Sequence, residues 1–154
     1  MIEKYLVKKI TEPVDWKVNV PGSKSMTNRA LLMAVLSAGT VRVEGVLFSD
    51  DSRHFLACLV ALGFTVEIEE EKKCATVTGC GGRIPRGEAV IDVGSAGTAA
   101  RFLAAMLGFS DGCYEIRCSA QMKRRPMAEL FDLLSGAGAK ITFLEEEGHL
   151  PVRI

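Results

Sequence analysis

One stretch of the sequence recurs 72 residues further along the chain, and this repeat limits what the chain can fold into. Gly22-Ser23 matches Gly94-Ser95, and Arg29 matches Arg101, at the same separation. Self-similarity at a fixed separation indicates that one supersecondary unit is used more than once. The sequence therefore predicts two copies of one structural unit.

The order of predicted elements is the same in both halves, because apolar periodicity and turn residues give the pattern βαβαββ twice. In the first half the predicted strands are 16–20, 40–46, 64–70 and 74–79, and the predicted helices are 25–38 and 51–62. In the second half the predicted strands are 89–93, 113–118, 139–145 and 150–154, and the predicted helices are 97–107 and 126–136. The pattern predicts the α/β (α+β) fold class. We place the first unit at 15–85 and the second unit at 86–154.

Composition excludes several classes of function. The 154 residues contain 19 Lys and Arg against 19 Asp and Glu, so the chain lacks the basic surface typical of nucleic-acid binding. No apolar run approaches the roughly 20 residues of a membrane span, and the N-terminus lacks the apolar segment of a secretory signal. We expect a cytosolic protein without nucleic-acid or membrane partners. Five cysteines without CxxC spacing, and two distant histidines, predict reduced thiols and no metal site.

Positive charge stands at three of the four predicted helix N-termini, although a cation there opposes the helix dipole. The residues are Lys24, Ser25 and Arg29 at the first helix, Gly94, Ser95, Gly97, Thr98 and Arg101 at the third, and Lys123, Arg124 and Arg125 before Pro126, the predicted first residue of the fourth. Helix N-termini bind phosphates and carboxylates, and arginine grips them bidentately. These three basic helix N-termini predict a ligand with several negative charges. The second helix begins with Asp50 and Asp51, as ordinary capping requires.

Ordinary alternatives remain for each helix start taken alone. Arg29 or Arg101 can simply reach solvent, Ser25 or Ser95 can be a helix cap, and the "KRRP" sequence can be a solvated turn. A P-loop does not fit "GSKS", because in G-x-x-x-x-G-K-[ST] both glycines are replaced, the first by Val18 and the one before the lysine by Ser23.

Several motifs resemble signatures of the 3-phosphoshikimate 1-carboxyvinyltransferase family: "PGSKSMTNRALLMAVLSAG", "DVGSAGTAARFLAAML" and "SAQMKRRPMAELFDLLSGAGA", with "LFSDDSRHFLACLVALG" between the first two. Members of this family fold as two globules, each with three βαβαββ units in an inside-out α/β barrel arrangement, and bind substrates between the globules. The resemblance implies that the chain carries two of the six units and that the remainder of the enzyme is absent. It also implies that residues 1–14 form an opening strand that joins the other globule.

The activity implied by the resemblance belongs to the shikimate pathway of aromatic amino-acid biosynthesis. The enolpyruvyl group of phosphoenolpyruvate is transferred to the 5-hydroxyl of shikimate 3-phosphate, phosphate is released, and no cofactor or metal takes part. By motif position, Lys24 contacts both substrates as the electrostatic catalytic group, while Ser25 and Arg29 bind shikimate 3-phosphate. Gly97 and Arg125 bind phosphoenolpyruvate. The residues implied to support this loop are Ser95, Thr98 and Arg101.

The resemblance also implies what the chain lacks. The acid/base carboxylate of the family lies outside this chain, so we expect the 154 residues alone to be inactive. The full-length enzyme is expected to be a monomer.

The chain departs from the family pattern at three positions. Ser95 replaces an asparagine, Phe102 stands where many members have proline, and Gln121 stands where many have arginine. The alternatives are the sibling transferase that acts on UDP-N-acetylglucosamine, for which Cys118 is the nearest candidate for a reactive cysteine, and a module that binds phosphorylated ligands without turnover. RNA 3′-phosphate cyclase has a similar unit but requires a basic surface.

Overall fold

Helices and strands alternate in the computed structural model, which describes residues 5–154. The first half contains α1 (Lys24–Leu36), β1 (Thr40–Glu44), α2 (Asp50–Ala61), β2 (Thr65–Glu69) and β3 (Cys74–Thr78). The second half contains β4 (Glu88–Asp92), α3 (Gly97–Gly108), β5 (Cys113–Arg117), α4 (Ala120–Lys123), α5 (Ala128–Gly136), β6 (Thr142–Phe143) and β7 (Val152–Arg153). The predicted α/β class is confirmed. None of the helices in the described part of the chain is both long and apolar enough to cross a membrane.

The strands form two sheets with related orders. The first sheet has the order β1-β3-β2, with both pairs antiparallel. The second has the order β4-β5-β7-β6, in which only the β4–β5 pair is parallel. The order β5-β7-β6 repeats β1-β3-β2, and β4 is the additional strand. The unit boundaries at 15–85 and 86–154 and the opening strand at 1–14, whose first four residues lie outside the described chain, stay predictions.

One apolar core contains buried residues of both halves and joins them. α1, α2 and α3 pack against one another, and α2 also contacts β2 of the first sheet and β4 of the second. Each helix buries apolar residues four positions apart, which places them on one face. The fully buried pairs are Leu31 and Val35 in α1, Phe55 and Leu59 in α2, and Leu103 and Leu107 in α3. Each such side chain contributes about 1.5–3 kcal/mol, so the core fixes the N-terminus of α1 relative to that of α3.

The predicted strand at 16–20 is wrong for this structure. Residues 5–23 form no helix or strand, and Trp16, Val18 and Val20 are 67%, 73% and 80% exposed. A strand requires a neighbour to pair its backbone groups. β4, which follows 72 residues later, pairs in parallel with β5, whereas residues 16–20 pair with no strand in the described chain. A local β pattern alone was therefore insufficient to predict a strand at 16–20.

The last part of the chain also differs from its prediction. Strands were predicted at 139–145 and 150–154, but the strands in the structure, β6 and β7, have only two residues each. Pro151, which has no backbone N–H, immediately precedes β7 and shortens the ladder. The short helix α4 was not predicted, and α5 begins at Ala128 instead of Pro126. Arg125 N–H donates to the Met122 carbonyl at 2.9 Å, so the chain turns before the proline.

Gly79, at the end of β3, packs against the C-terminal end of α1. A Cβ atom there would lie 2.3 Å from the Ala34 carbonyl oxygen and 2.4 Å from that of Ser37. We expect Gly79→Ala to lower the free energy of unfolding by about 1–3 kcal/mol, because backbone must move to admit the methyl group. Thermal unfolding measures the loss. Gly39→Ala is the control, since its Cβ would meet no atom within 4 Å; equal losses in both variants would contradict the contact.

Candidate functional site: an anion-binding cleft

The N-termini of α1 and α3 open onto one cleft of about 380 Å³. Its lining residues are Lys24, Arg29, Asp51, Gly97, Thr98, Arg101, Phe102 and Arg125. Two residues predicted for the site are not part of this lining. Ser25 is exposed in the first turn of α1, and Ser95 is half-buried just before the N-cap of α3. The structure thus brings together six of the eight predicted site residues.

Lys24 is the first residue of α1 and contacts a carboxylate of the neighbouring helix. Ser23 caps α1 by accepting a hydrogen bond from the Met26 N–H at 3.3 Å, and the first turn contains no acidic residue. The Lys24 ammonium lies 3.0 Å from Asp51 Oδ2. Asp51 therefore compensates the unfavourable contact between the Lys24 charge and the positive end of the α1 dipole.

Asp51 is available for this contact because other residues cap α2. Ser49 is the N-cap, and Ser49 and Ser52 accept hydrogen bonds from each other's backbone N–H groups. Asp50 and Asp51 lie in the first turn and favour the dipole. The prediction that these two carboxylates cap α2 is therefore wrong, because Ser49 is the cap and the aspartates are charged residues of the first turn. Asp51, only 17% exposed, also lines the cleft.

α3 begins with free backbone donors and no side-chain cap. Its N-cap is Ala96, which offers no hydrogen-bond acceptor in its side chain, so the first-turn N–H groups are uncapped. A Cβ atom on Gly97 would lie 2.8 Å from Arg125 Nη1 and 3.3 Å from Arg101 Nη1. Glycine thus allows two guanidinium groups to approach the backbone closely at the start of α3.

Arg101 connects the first turn of α3 with the segment that carries Arg125. Its Nη1 donates to the Gly97 carbonyl and its Nη2 to the Pro126 carbonyl, both at 3.1 Å. Arg125 itself lies one residue before that proline. Arg101 can therefore hold the backbone next to Arg125 against α3.

The predicted basic N-terminus of the fourth helix is wrong. Lys123 ends the short helix α4, where a cation favours the dipole, and its ammonium donates to Glu145 Oε2 at 2.7 Å. Arg124 is the C-cap of α4, and α5 has the acidic Glu129 in its own first turn. Of the three consecutive cations, only Arg125 lines the cleft.

Arg29 extends from the second turn of α1 toward α3. Its Nη1 donates to the Ser25 carbonyl at 3.2 Å. The guanidinium carbon lies 5.9 Å from the ring centroid of Phe102. This separation is within the range of a cation–π contact.

Asn28 is a polar residue of α1 that sequence reasoning did not select. It is fully buried, and neither amide atom has a hydrogen-bond partner within residues 5–154. A signal was present, because Asn28, Leu31 and Val35 follow the helical spacing of one buried face. A buried amide without a partner costs about 1–3 kcal/mol, so stability alone does not explain this residue.

The cleft carries a formal excess of three positive charges. It contains four cationic side chains and a single carboxylate, that of Asp51. Two helix N-termini, those of α1 and α3, add their positive dipole ends. Open to water, each charge contact at about 4 Å contributes about 1 kcal/mol, so affinity depends on several contacts at once. The arrangement suits a ligand with more than one anionic group.

Asp51 competes with any anion for Lys24. We expect Asp51→Asn to raise the affinity for inorganic phosphate about two- to fivefold, because one nearby negative charge is removed. Titration with phosphate followed by NMR measures this. Asp132→Asn, an equal charge change on the exposed side of α5, is the control. A tenfold loss of affinity in Asp51→Asn alone would mean that Asp51 chiefly orients Lys24.

The cysteines do not provide a reactive group in the cleft. All five lie within the described residues and are unpaired. Cys118 is outside the cleft lining, and burial raises the pKa of its thiol. A raised pKa disfavours the thiolate, which is the nucleophilic form. The sibling transferase with a reactive cysteine therefore gains no support.

Comparison with known proteins identifies relatives over nearly the whole chain. The family model described as EPSP synthase (3-phosphoshikimate 1-carboxyvinyltransferase) matches residues 8–154. A 3-phosphoshikimate 1-carboxyvinyltransferase from Sulfurovum sp. is 45% identical over 142 residues, which cover 92% of this chain and 33% of the relative. The protein of the same name from Trichormus variabilis is 41% identical over 145 residues, covering 94% and 34%.

Solved structures agree with the sequence relatives. EPSP synthase from Acinetobacter baumannii superposes with a TM-score of 0.80 and 27% identity, covering 89% of this chain and 31% of that one. The chain thus spans about a third of the length of the relatives it matches. With a family model over residues 8–154 and the same fold in a solved member, the chain belongs to the EPSP synthase family.

Proposed function

We propose that this chain supplies one wall of the active site of a 3-phosphoshikimate 1-carboxyvinyltransferase. In that reaction the enolpyruvyl group of phosphoenolpyruvate moves to the 5-hydroxyl of shikimate 3-phosphate, and phosphate is released. The observation that carries the proposal is the single cleft lined by Lys24, Arg29, Gly97 and Arg125. Each substrate has a phosphate and a carboxylate, which fits the excess of positive charge there.

Lys24 is suited to contact both substrates. An ammonium group has three N–H donors. The ion pair with Asp51 at 3.0 Å occupies one side of the ammonium, and the other sides can face an anionic group of each substrate. We assign Lys24 the central electrostatic role, because its charge stabilises negative charge wherever the two substrates meet.

The remaining residues divide between the two ligands. Arg29, with Ser25 beside it on α1, is assigned to shikimate 3-phosphate. Arg125 is assigned to the phosphate of phosphoenolpyruvate, and Gly97 offers that ligand a close approach to the backbone. The loop around this subsite is supported by Ser95, Thr98 and Arg101. Arg101 donates to the Gly97 and Pro126 carbonyls, which favours a supporting role.

These residues act by positioning and by charge. The 5-hydroxyl gives its proton to a general base as its oxygen bonds to C2 of phosphoenolpyruvate, while a general acid protonates the C3 methylene. The C2–O bond to phosphate then breaks, and C3 loses a proton to restore the double bond. Arg125 stabilises the charge of the departing phosphate. The acid/base carboxylate is assigned to a part of the enzyme outside this chain, so that proton transfer requires the remainder of the enzyme.

A module that binds phosphorylated ligands without turnover gains no support from relatives that are named as transferases. A phosphate-release assay tests the proposed function. We expect no release by the 154-residue chain alone with both substrates. We expect release by a chimera in which residues 8–154 replace the matching third of the Sulfurovum relative. A folded but inactive chimera, with the unmodified relative active, would overturn the proposed function. Location in the cytosol, a monomeric enzyme, and the absence of metal, cofactor and nucleic acid stay predictions.

A further inference from the structure

We propose that Phe102 is a positioning residue that holds the Arg29 guanidinium in place for anion binding. The inference deepens the proposed function and rests on it for the identity of the anion, shikimate 3-phosphate. Phe102 is half-buried on α3, lines the cleft, and is contacted from across the helix pair by Arg29 of α1.

The other cleft cations that make polar contacts are held by a neighbouring element. Lys24 of α1 is paired with Asp51 of α2, and Arg101 of α3 donates to the Pro126 carbonyl. Arg29 differs. Within residues 5–154, its hydrogen bond goes to the Ser25 carbonyl of its own helix, and no ion pair joins it to another residue. The Phe102 ring, 5.9 Å from the guanidinium carbon, is thus its electrostatic contact to α3.

An aromatic ring can orient a guanidinium without using its hydrogen-bond donors. The ring contacts the guanidinium through its π-system, whereas the five N–H groups lie along the guanidinium edge. A carboxylate in the place of Phe102 would take up two of these donors and cancel the charge. With Phe102, Arg29 keeps its full charge and a free edge for a bidentate contact with a phosphate or carboxylate.

The phenylalanine ring supplies both a π-face and apolar volume. Leucine at this position would preserve apolar packing between α1 and α3 but remove the aromatic quadrupole. Tyrosine would preserve both the packing and the aromatic quadrupole. These two substitutions therefore separate the electrostatic role of the ring from its volume.

The affinity of the chain for shikimate 3-phosphate tests the role in binding. We expect Phe102→Leu to weaken binding about two- to fivefold, the range of an exposed cation–π contact, and Phe102→Tyr to stay within about 1.5-fold of the unmodified chain. In the Arg29→Lys background, Phe102→Leu is expected to have less effect, because an ammonium lacks the planar fork that the ring orients. Equal affinities for the unmodified chain and Phe102→Leu would overturn the proposal. So would an equal loss in Phe102→Leu and Phe102→Tyr.

NMR of the free chain tests the contact without any ligand. Because Arg29 lies over the ring, we expect its δ-methylene protons to be shifted upfield in the unmodified chain and in Phe102→Tyr, and to return to ordinary values in Phe102→Leu. Absence of the upfield shift in the unmodified chain overturns the proposal, whatever the ligand does. If the shift is present but shikimate 3-phosphate does not bind the unmodified chain, the identity of the anion is overturned while the Arg29–Phe102 contact stands, and the proposed function is judged separately by the chimera. Thermal unfolding of each variant checks the fold.

Discussion

Lys24→Met is expected to remove nearly all activity from an enzyme that contains this cleft. In the chimera described above, we expect kcat/KM to fall by more than about a hundredfold, or about 2.7 kcal/mol of transition-state stabilisation. Two effects add. The ammonium shared by two anionic substrates is lost, and Asp51, only 17% exposed, loses its partner and presents a negative charge to them.

The matched control is Lys72→Met. Lys72 is an exposed cation in the turn between β2 and β3, outside the cleft lining. It pairs with Glu69 at the end of β2. We expect this variant to keep activity within about twofold. In Lys24→Met, the second change Asp51→Asn is expected to recover a few-fold of the lost activity, since it removes the uncompensated carboxylate. A loss below tenfold in Lys24→Met would contradict the role assigned to Lys24.

Gly97→Ala is expected to weaken phosphoenolpyruvate binding at least tenfold and shikimate 3-phosphate binding less than threefold. The added methyl group would lie 2.8 Å from Arg125 Nη1, so it displaces the guanidinium assigned to phosphoenolpyruvate. Hydrogen bonds to charged groups contribute about 1.5–3 kcal/mol, which corresponds to a loss of about ten- to a hundredfold. The KM values of the chimera for the two substrates measure the difference.

Gly136→Ala is the control for this substitution, because Gly136 also lies in a helix and its Cβ would meet no atom within 4 Å. We expect unchanged KM values for both substrates in that variant. If Gly97→Ala weakens both substrates equally and lowers the melting temperature, the glycine serves the fold of α3 and not the subsite.

Local signals were enough to predict the three helices that build the cleft. The structure starts α1 at Lys24 and α2 at Asp50, each within one residue of its prediction, because apolar spacing and capping serines are encoded nearby in sequence. The predicted start of α3 at Gly97 is confirmed. These starts position Lys24, Arg29 and Arg101 at one cleft.

Features that depend on distant partners could not be read from the sequence. The strand predicted at 16–20 has the right local pattern but no neighbour in residues 5–154. The pairing of Lys24 with Asp51 joins two helices, and the cation–π contact of Arg29 with Phe102 joins another pair. Sequence spacing does not give such distances. The short helix α4 places Lys123 against Glu145, so the three adjacent cations have different surroundings.

The most direct test of the cleft as the substrate site is an NMR titration of the 154-residue chain with shikimate 3-phosphate. We expect chemical-shift changes at millimolar ligand, confined to residues near 22–29, 94–101 and 123–126. They should weaken with added salt, because charge contacts in an open cleft are screened. The same titration of Lys24→Met should show clearly smaller changes at equal ligand concentration, because one of the charge contacts is lost. Shift changes centred elsewhere in the chain, or changes unaffected by Lys24→Met, would contradict the assignment of this cleft.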